Sequence, residues 1–363
     1  MISDLARERF AAFSELVRGQ GGRGRWLVLT HDNPDPDALA AAAVLARILR
    51  RAFGRRVTTA YGGLIGRAEN REMVRSLGLK LSHVRNLSWK SYRHVALVDT
   101  QPRTGNNQLP EDFRADAVID HHPPRKASQA AAFADIRPTY GATATIVAEY
   151  LLLSGLSATR RTATALVYAL RSETQDFSRG PSGGPDKQIY DALLPQVDKR
   201  ILARILYPRL PASYFANLGQ ALHNMAGVGN LIVTHMGEID QPDIVPEIAD
   251  LLLRLEGKTW SLATGLHGDR VYLSLRTSNP RADAGRLMRR LVGRRGKGGG
   301  HGMMAGGWLP RPKAAGADPA AVQRQLAEKL AKALKRSPEK IEPLLRPASA
   351  EAPPPEPPAS GAG

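Results

Sequence analysis

The sequence contains no cysteine, which excludes disulfide bonds, thiolate metal ligands and a thiol nucleophile. It also lacks any apolar run close to the roughly 18 residues that a membrane span requires, and its first residues carry no apolar signal segment. These absences predict a cytoplasmic protein that has no membrane partner.

Acidic residues are outnumbered by basic ones. The 363 residues include 34 Asp and Glu against 51 Lys and Arg, giving a formal net charge of +17. This excess favours a polyanionic partner or substrate such as nucleic acid. The length and the 42% hydrophobic content suffice for about two domains of roughly 150 residues each.

Apolar strand patterns alternate with helical patterns in the first half of the chain. This alternation predicts an α/β N-terminal domain, residues 1–185, with a mainly parallel sheet and helices on both faces. We expect a helical connector over residues 186–227 and a smaller α/β C-terminal domain over residues 228–312. Residues 313–363 read as one helix followed by a disordered Pro/Ala-rich tail. The catalytic cleft is expected between the two domains.

Acids and histidines follow three of the predicted strands: His31, Asp35 and Asp37; Asp99; and Asp120, His121 and His122. An acid in such a position is often only a helix cap or part of a solvated turn. Three successive strands that end this way, however, bring their side chains to one edge of a parallel sheet. Imidazole and carboxylate donors without sulfur suit Mn²⁺, Fe²⁺ or Co²⁺, and two ions about 3.5–4 Å apart are a common arrangement for hydrolysing phosphate esters.

These motifs resemble the first three motifs of the DHH phosphoesterases. The segment from Gly298 to His301 is similar to the glycine-rich signature of the C-terminal domain associated with that family. The resemblance covers residues 24–310, and the four motifs occur in the family's order. It is greatest to the branch that contains oligoribonucleases and 3′,5′-bisphosphonucleotide phosphatases.

The resemblance implies two divalent ions that share Asp99 as a bridging ligand. One ion would be held by His31, Asp35 and Asp99, and the other by Asp37, Asp99 and His121. The family completes the second site with an aspartate; this chain has Glu173 there, and Asp176 is the alternative ligand. The expected ions are Mn²⁺, with Mg²⁺ or Co²⁺ as alternatives.

The resemblance also assigns roles beyond the metals. His122 would face the phosphate, and Asp120 would either orient a neighbouring imidazole or cap a helix. Gly298, Gly299, Gly300 and His301, a predicted loop, would contact a substrate phosphate together with Arg276 at the end of a strand. Six basic residues and no acid lie between positions 285 and 302, which favours nucleic acid over a merely solvated helix.

The predicted function is hydrolysis of short single-stranded RNA to nucleoside monophosphates, together with dephosphorylation of 3′-phosphoadenosine-5′-phosphate. A cyclic- or linear-dinucleotide phosphodiesterase is the alternative within the same chemistry. An inorganic pyrophosphatase fits less well, because so small a substrate does not need a basic second domain. The alternative from another class is a catalytically impaired nucleotide- or RNA-binding protein, which only Glu173 favours. A homodimer is compatible with the sequence.

Overall fold

The computed structural model describes residues 2–20, 24–178, 183–311 and 319–345, with the backbone alone for His301, Pro319 and Ala320. The chain divides between residues 209 and 210 into two compact units. Both are α/β, as predicted. Within the described ranges, every helix is too short or too polar to cross a membrane.

The first unit contains a parallel sheet of six strands, β1 (Arg25–Leu29), β2 (Arg56–Tyr61), β3 (Ser82–His83), β4 (His94–Val98), β5 (Ala117–Asp120) and β6 (Phe133–Ile136). Their order is β3-β2-β1-β4-β5-β6, and every neighbouring pair is parallel. The strand order reverses beside β1, between β2 and β4. Ligands of open α/β sheets bind at such a switch point, outside the carboxyl ends of the strands.

Both faces of this sheet are buried. The helices of the first unit are α1 (Asp4–Gly19), α2 (Pro36–Arg51), α3 (Ala68–Leu77), α4 (Thr143–Leu153), α5 (Arg160–Thr174), α6 (Gly184–Leu193) and α7 (Lys199–Leu206). Trp26 and Val28 of β1 join the core formed with α1, α2, α4 and α5. Leu27 and Leu29 point to the other face, which short 3₁₀ turns and loop residues between 84 and 113 cover. This two-sided burial explains why β1 is a continuous apolar run.

Helix α2 begins where the sequence gives a strong start signal. The Asp35 side chain accepts a hydrogen bond from the Ala38 N–H at 3.0 Å, and Pro36 occupies the first helical turn. Arg50 and Arg51 lie in the last turn, where cations interact favourably with the helix dipole. The acidic turn is thereby fixed directly beyond β1.

The second unit contains a mixed sheet of seven strands, β7 (Ala226–Val228), β8 (Leu231–Glu238), β9 (Trp260–His267), β10 (Arg270–Thr277), β11 (Lys297–His301), β12 (Met304–Pro310) and β13 (Glu342–Pro343). The order is β11-β12-β10-β9-β8-β7-β13, and only the β8–β9 pair is parallel. Its helices are α8 (Ala212–His223), α9 (Ile244–Leu252), α10 (Ala284–Val292) and α11 (Pro319–Ala333).

The glycine-rich segment was predicted to be a loop, and this prediction is wrong: the segment forms the edge strand β11. Gly298 pairs with Gly307, and Gly300 pairs with Ala305, in an antiparallel hairpin. Glycine has poor strand propensity, so a run of three predicts a loop. Helix α10 packs directly against this strand, because a Cβ on Gly285 would lie 2.0 Å from the Gly300 carbonyl oxygen.

The second unit extends past residue 312, where the sequence analysis ends its C-terminal domain. Leu326 and Leu330 of α11 are buried in the core of the second sheet, and β13 pairs with β7. The predicted connector is helical, but α6 and α7 contribute Ile189 and Ile205 to the core of the first unit. The predicted tail lies mostly outside the described residues.

Candidate metal centre

The structure brings the acids and histidines of three strand ends together at the carboxyl edge of the parallel sheet. Asp99 follows β4 and lies at the centre of the cluster. Its Oδ2 is 3.4 Å from His31 Nε2, which is 3.8 Å from Asp35 Oδ1. Its Oδ1 is 3.7 Å from His121 Nε2, which is 3.9 Å from Asp37 Oδ2. The two carboxylate oxygens of Asp99 therefore face two separate groups of donors.

The backbone fixes the orientation of both imidazoles. His31 Nδ1 lies 2.8 Å from the Asp32 carbonyl oxygen, and His121 Nδ1 lies 3.2 Å from the Tyr140 carbonyl oxygen. In each ring this contact assigns a proton to Nδ1, and Nε2 is the nitrogen that faces the carboxylates. Metal-binding histidines are held in this way in most known sites.

Asp37 is completely buried and serves two structural elements. Its carboxylate accepts hydrogen bonds from the Thr143 N–H (2.8 Å) and the Ala144 N–H (2.7 Å) at the start of α4. Ala142, the residue before α4, has no side chain that could cap the helix. Asp37 therefore satisfies backbone donors that every helix start leaves open, and it still reaches His121 across the cluster.

The electrostatics of the cluster fit divalent cations. Burial, reinforced by the charges of Asp99 and Glu173, raises the pKa of Asp37 well above its usual value. Burial also opposes ionisation of Asp35, but the hydrogen bond and charge of His31 outweigh it and lower the pKa to about 2. Two atoms bound to one ion at about 2.1 Å lie roughly 3.0–3.5 Å apart, and the donor separations here are close to that range.

Asp120 holds His122 in a defined orientation, which is the predicted positioning role; no helix starts at this point. Asp120 Oδ1 lies 2.9 Å from His122 Nδ1, and Oδ2 accepts a 2.7 Å hydrogen bond from Gln101 Nε2. The hydrogen bond to Asp120 raises the pKa of His122 to about 9. The His122 side chain is 45% exposed, against 16% for His31 and 12% for His121. His122 is therefore the imidazole open to a substrate.

Asp99 adopts a left-handed backbone conformation, with φ of 58°. This conformation is uncommon for a residue with a side chain and costs about 1–3 kcal/mol, and such residues cluster at functional sites. The Asp99 N–H still donates to the Ile119 carbonyl oxygen at 3.0 Å, which continues the β4–β5 pairing. The strained turn aims the carboxylate across the sheet edge.

The structure separates the two candidates for the last ligand. Glu173, in the last turn of α5, is half-buried, and its charge acts on both Asp37 and His122. The Asp176 side chain is 66% exposed and forms a 2.6 Å ion pair with Arg171. This arrangement favours Glu173, as predicted, although its role as a ligand stays a prediction.

The predicted substrate contacts lie in the second unit. Arg276, at the end of β10, is mostly buried; its Nε donates to Asp250 Oδ1 at 2.6 Å and its Nη1 to two carbonyl oxygens. Among the glycines, a Cβ on Gly298 would meet Met288 at 2.9 Å, and one on Gly300 would meet the Met304 carbonyl oxygen at 2.3 Å. The side chain of His301, another predicted substrate contact, lies outside the described residues.

Gly299 differs from its two neighbours. A Cβ built there would have no described atom within 4 Å. Packing therefore explains glycine at positions 298 and 300 but not at position 299. An open backbone position on an edge strand is suited to close approach by a ligand.

Sequence reasoning missed two residues that position the cluster. Thr143 Oγ1 donates to Asp99 Oδ1 at 2.8 Å. Gln101 binds Asp120 and is itself held by the Arg125 N–H and the Ser128 hydroxyl, at 2.7 and 2.8 Å. In the sequence, Thr143 is only a polar residue at a helix start, and Gln101 is only a polar residue shortly after a strand. Neither signal is specific.

Comparisons with known proteins agree with this geometry. Residues 25–170 match the DHH family N-terminal domain, and residues 229–337 match the DHHA1 domain. The chain is 36% identical over 286 residues to the uncharacterized protein MJ1633 of Methanocaldococcus jannaschii, a match that covers 78% of this chain and 58% of that protein. The chain thus spans less than two thirds of the length of this relative.

A solved structure shares the fold. It is an exopolyphosphatase-related protein from Bacteroides fragilis, with a TM-score of 0.70 at 17% identity, covering 91% of this chain and 98% of that one. The two domain matches fall in the two structural units, one in each. The chain therefore carries a DHH domain followed by a DHHA1 domain.

Proposed function

We propose that this protein is a metal-dependent phosphoesterase that hydrolyses short oligoribonucleotides to nucleoside monophosphates. The observation that carries the proposal is the position of Asp99 between two donor groups, with one carboxylate oxygen facing each. A bridging carboxylate of this kind is characteristic of two-metal phosphoesterase sites. The match of residues 25–170 to the DHH domain supports the same class of reaction.

Seven side chains provide the chemistry. The residues that would hold two divalent ions are His31, Asp35, Asp37, Asp99, His121 and Glu173. We propose Mn²⁺, with Mg²⁺ or Co²⁺ as alternatives, because the donors are imidazole and carboxylate without sulfur. Such ions, when bound, lower the pKa of a coordinated water and neutralise charge on the phosphoryl oxygens.

His122 is the seventh side chain, and it acts on the substrate. Its Nδ1 is held by Asp120, so its Nε2–H is the group left to donate to a phosphoryl oxygen or to the leaving group. Gln101, which is 1% exposed, donates to the other carboxylate oxygen of Asp120 and fixes its orientation. The chain therefore presents a fixed donor beside the proposed metal ligands without rearrangement.

RNA as the substrate is supported by charge and by the form of strand β11. The chain carries a net charge of +17. The basic side chains before and within β11 are Arg286, Arg289, Arg290, Arg294, Arg295 and Lys297. Gly299 then offers an open backbone position where a phosphate can approach. 3′-Phosphoadenosine-5′-phosphate carries the same groups in a single nucleotide, and we include it as a second substrate.

A substrate panel tests the proposal. We expect nucleoside monophosphate release from di- to pentaribonucleotides with Mn²⁺, slower phosphate release from 3′-phosphoadenosine-5′-phosphate, and no turnover with EDTA. Faster cleavage of a cyclic dinucleotide would move the assignment to the alternative phosphodiesterase. Tight RNA binding without turnover on any of these substrates, in the presence of bound metal, would contradict the enzymatic proposal.

A second experiment tests the contacts assigned to the DHHA1 domain. Gly299→Ala adds a methyl group into open space, so the fold should be retained while the phosphate is held off. We expect dinucleotide hydrolysis to fall roughly ten- to a hundredfold in kcat/KM, the loss of one charged contact of about 1.5–3 kcal/mol. A small model diester, bis-p-nitrophenyl phosphate, should stay within about threefold.

Arg276→Ala and His301→Ala are expected to behave in the same way on the two substrates. Asp250→Ala is the control for Arg276, because it removes the ion pair and keeps the guanidinium. Equal losses on the dinucleotide and the model diester would mean that these residues support the fold or the metals. The proposed substrate contacts would then be wrong.

A further inference from the structure

The first unit contains a second concave region, remote from the candidate metal centre. It is a cavity of about 250 Å³ formed by the second half of α2, the turn that follows α3 and the first residues of α5. Arg161, in the first turn of helix α5, lines this cavity, and Glu173, in the last turn of the same helix, lies about 18 Å further along at 1.5 Å per residue. The cavity is therefore remote from the metal centre.

Four cationic side chains line this basic cavity: Arg47, Arg50, Lys80 and Arg161. Within the described part of the chain, no Asp or Glu lines it. Arg47 and Arg50 donate to the carbonyl oxygens of Ser157 and Val57, at 3.1 and 2.8 Å. Neither arginine forms an ion pair with a described carboxylate, so the described acceptors of both guanidinium groups are neutral carbonyl oxygens.

The other two cations are less constrained. Lys80 and Arg161 are exposed, and among the described residues neither has a hydrogen-bond or ion-pair partner. Burial lowers the pKa of Arg50, as expected for a guanidinium that loses water without gaining a carboxylate. The repulsion between these four neighbouring cations is reduced when an anion binds.

The start of α5 adds a further attraction for anions. Thr159 caps this 15-residue helix by accepting from the Thr162 N–H at 3.2 Å, and Thr162 itself lines the cavity. The N-terminal end of a helix carries partial positive charge and open N–H donors. Two residues of this first turn, Arg161 and Thr162, line the cavity.

The volume and the charge together define the occupant. Sites for drug-sized ligands measure roughly 300–1,000 Å³, so a cavity of about 250 Å³ suits a compact group. A single phosphoryl group carries a charge of about −1.5 to −2 near neutral pH, so two linked phosphoryl groups, which together carry more charge than one, are the closer match to four cations. We propose that the basic cavity binds a diphosphate group, either as free pyrophosphate or as part of a nucleoside diphosphate.

The test is a calorimetric titration of the full-length protein with sodium pyrophosphate in EDTA, which removes metal-dependent binding and hydrolysis. Three proteins are compared: the wild type, K80Q/R161Q, and the matched control K90Q/R160Q. The control also replaces one lysine and one arginine, and its arginine neighbours Arg161, but both control positions lie outside the cavity. Thermal unfolding checks that all three proteins fold.

We expect saturable binding in the wild type and the control, and at least tenfold weaker binding in K80Q/R161Q. A fourth protein, K80R/R161K, keeps both positive charges and should bind pyrophosphate as tightly as the wild type. Equal affinity in all three proteins, or no saturable binding by the wild type, would overturn the proposal. Binding of orthophosphate as tight as that of pyrophosphate would also overturn it, because one phosphoryl group would then suffice.

A parallel titration with ADP separates the two sources of the group. Binding of pyrophosphate alone supports a site for the free ion, and binding of both supports a site that also accepts the esterified group. Binding of ADP alone would overturn the proposal, because the nucleoside would then provide the affinity. None of these outcomes depends on the proposed RNA hydrolysis.

Discussion

Thr143→Val removes one hydroxyl from the centre of the candidate metal site and leaves the shape of the side chain almost unchanged. Thr143 is completely buried, and its Oγ1 donates to Asp99 Oδ1 at 2.8 Å. Valine cannot donate, so the carboxylate loses one of the contacts that fix its rotation. Because Asp99 faces both donor groups, a change in its rotation affects both proposed ions.

The size of the effect follows from that hydrogen bond. A hydrogen bond to a charged group contributes about 1.5–3 kcal/mol, and at 1.36 kcal/mol per tenfold this corresponds to a loss of roughly 10- to 150-fold in rate. Replacing a residue that orients a metal ligand typically lowers metal affinity or activity by about 10–100-fold. Both estimates place the expected loss in kcat for a model diester near fiftyfold.

Thr145→Val is the matched control. Thr145 lies in the same helix, is equally buried, and donates to the carboxylate of Asp186 at 2.5 Å. Asp186 binds the N–H groups of Gly141 and Gly183 and lies outside the donor groups around Asp99. Both variants should therefore lose similar stability, about 1–3 kcal/mol, but only Thr143→Val should lose activity.

The assay measures hydrolysis of bis-p-nitrophenyl phosphate with saturating Mn²⁺ and urea unfolding of the metal-free proteins. We expect similar shifts in the unfolding midpoints of the two variants and at least a tenfold difference between their kcat values. Equal activity losses would refute the reasoning, since they would trace the effect to the packing of α4. Wild-type activity in Thr143→Val would refute it as well.

Further changes have expected outcomes that follow from the same geometry. Asp99→Ala should abolish hydrolysis and lower the amount of bound metal, measured by elemental analysis. His122→Ala should slow hydrolysis but keep the metal content. Near-normal activity of Asp99→Ala with two ions bound would refute the bridging role. Gly62→Ala would place a Cβ 1.8 Å from Asp32 Oδ1, and because the Asp32 carbonyl fixes the neighbouring imidazole, hydrolysis should fall at least roughly tenfold. Truncation after Pro347 keeps both sheets, so dinucleotide hydrolysis should be unchanged; a large loss would assign the tail a role in the site.

The control for Gly62→Ala is Gly219→Ala in α8. A Cβ at Gly219 would meet no described atom within 4 Å, and alanine is the better helix former by about 1 kcal/mol. This variant should therefore be at least as stable as the wild type and fully active. An equal loss of activity in both variants would show that the Asp32 contact is not the cause.

The parallel sheet and its ligands could be predicted because each piece of the pattern is local. An apolar run followed directly by Asp99, or by Asp120, His121 and His122, specifies both a strand and the donors at its end. Strand topology then places these ends at one edge without further information. The α/β fold is confirmed, and the cluster brings together His31, Asp35, Asp37, Asp99 and His121; their role as metal ligands stays a prediction.

The positioning residues could not be predicted because their partners are distant in sequence. Thr143 reaches Asp99 across 44 positions, and nothing near Thr143 indicates that contact. The prediction of a loop at β11 was wrong for a different reason. Gly298 is crowded by α10 and Gly300 by β12, and a pattern of side chains cannot reveal where the packing leaves no room for one. Strand β13 has two residues, too few for any periodicity.

The contact between Asp37 and the start of α4 has a consequence for the order of folding. It joins residues 106 positions apart, and closing a loop of that length costs about 4 kcal/mol by the (3/2)RT ln n relation. Contacts with that separation form after local structure in most small domains. We therefore expect α4 to lack a satisfied N-terminal end until the β1–α2 turn docks. The ability to bind metal should then appear only with the completed sheet, and a refolding chain should pass through helical forms that do not yet retain the ions.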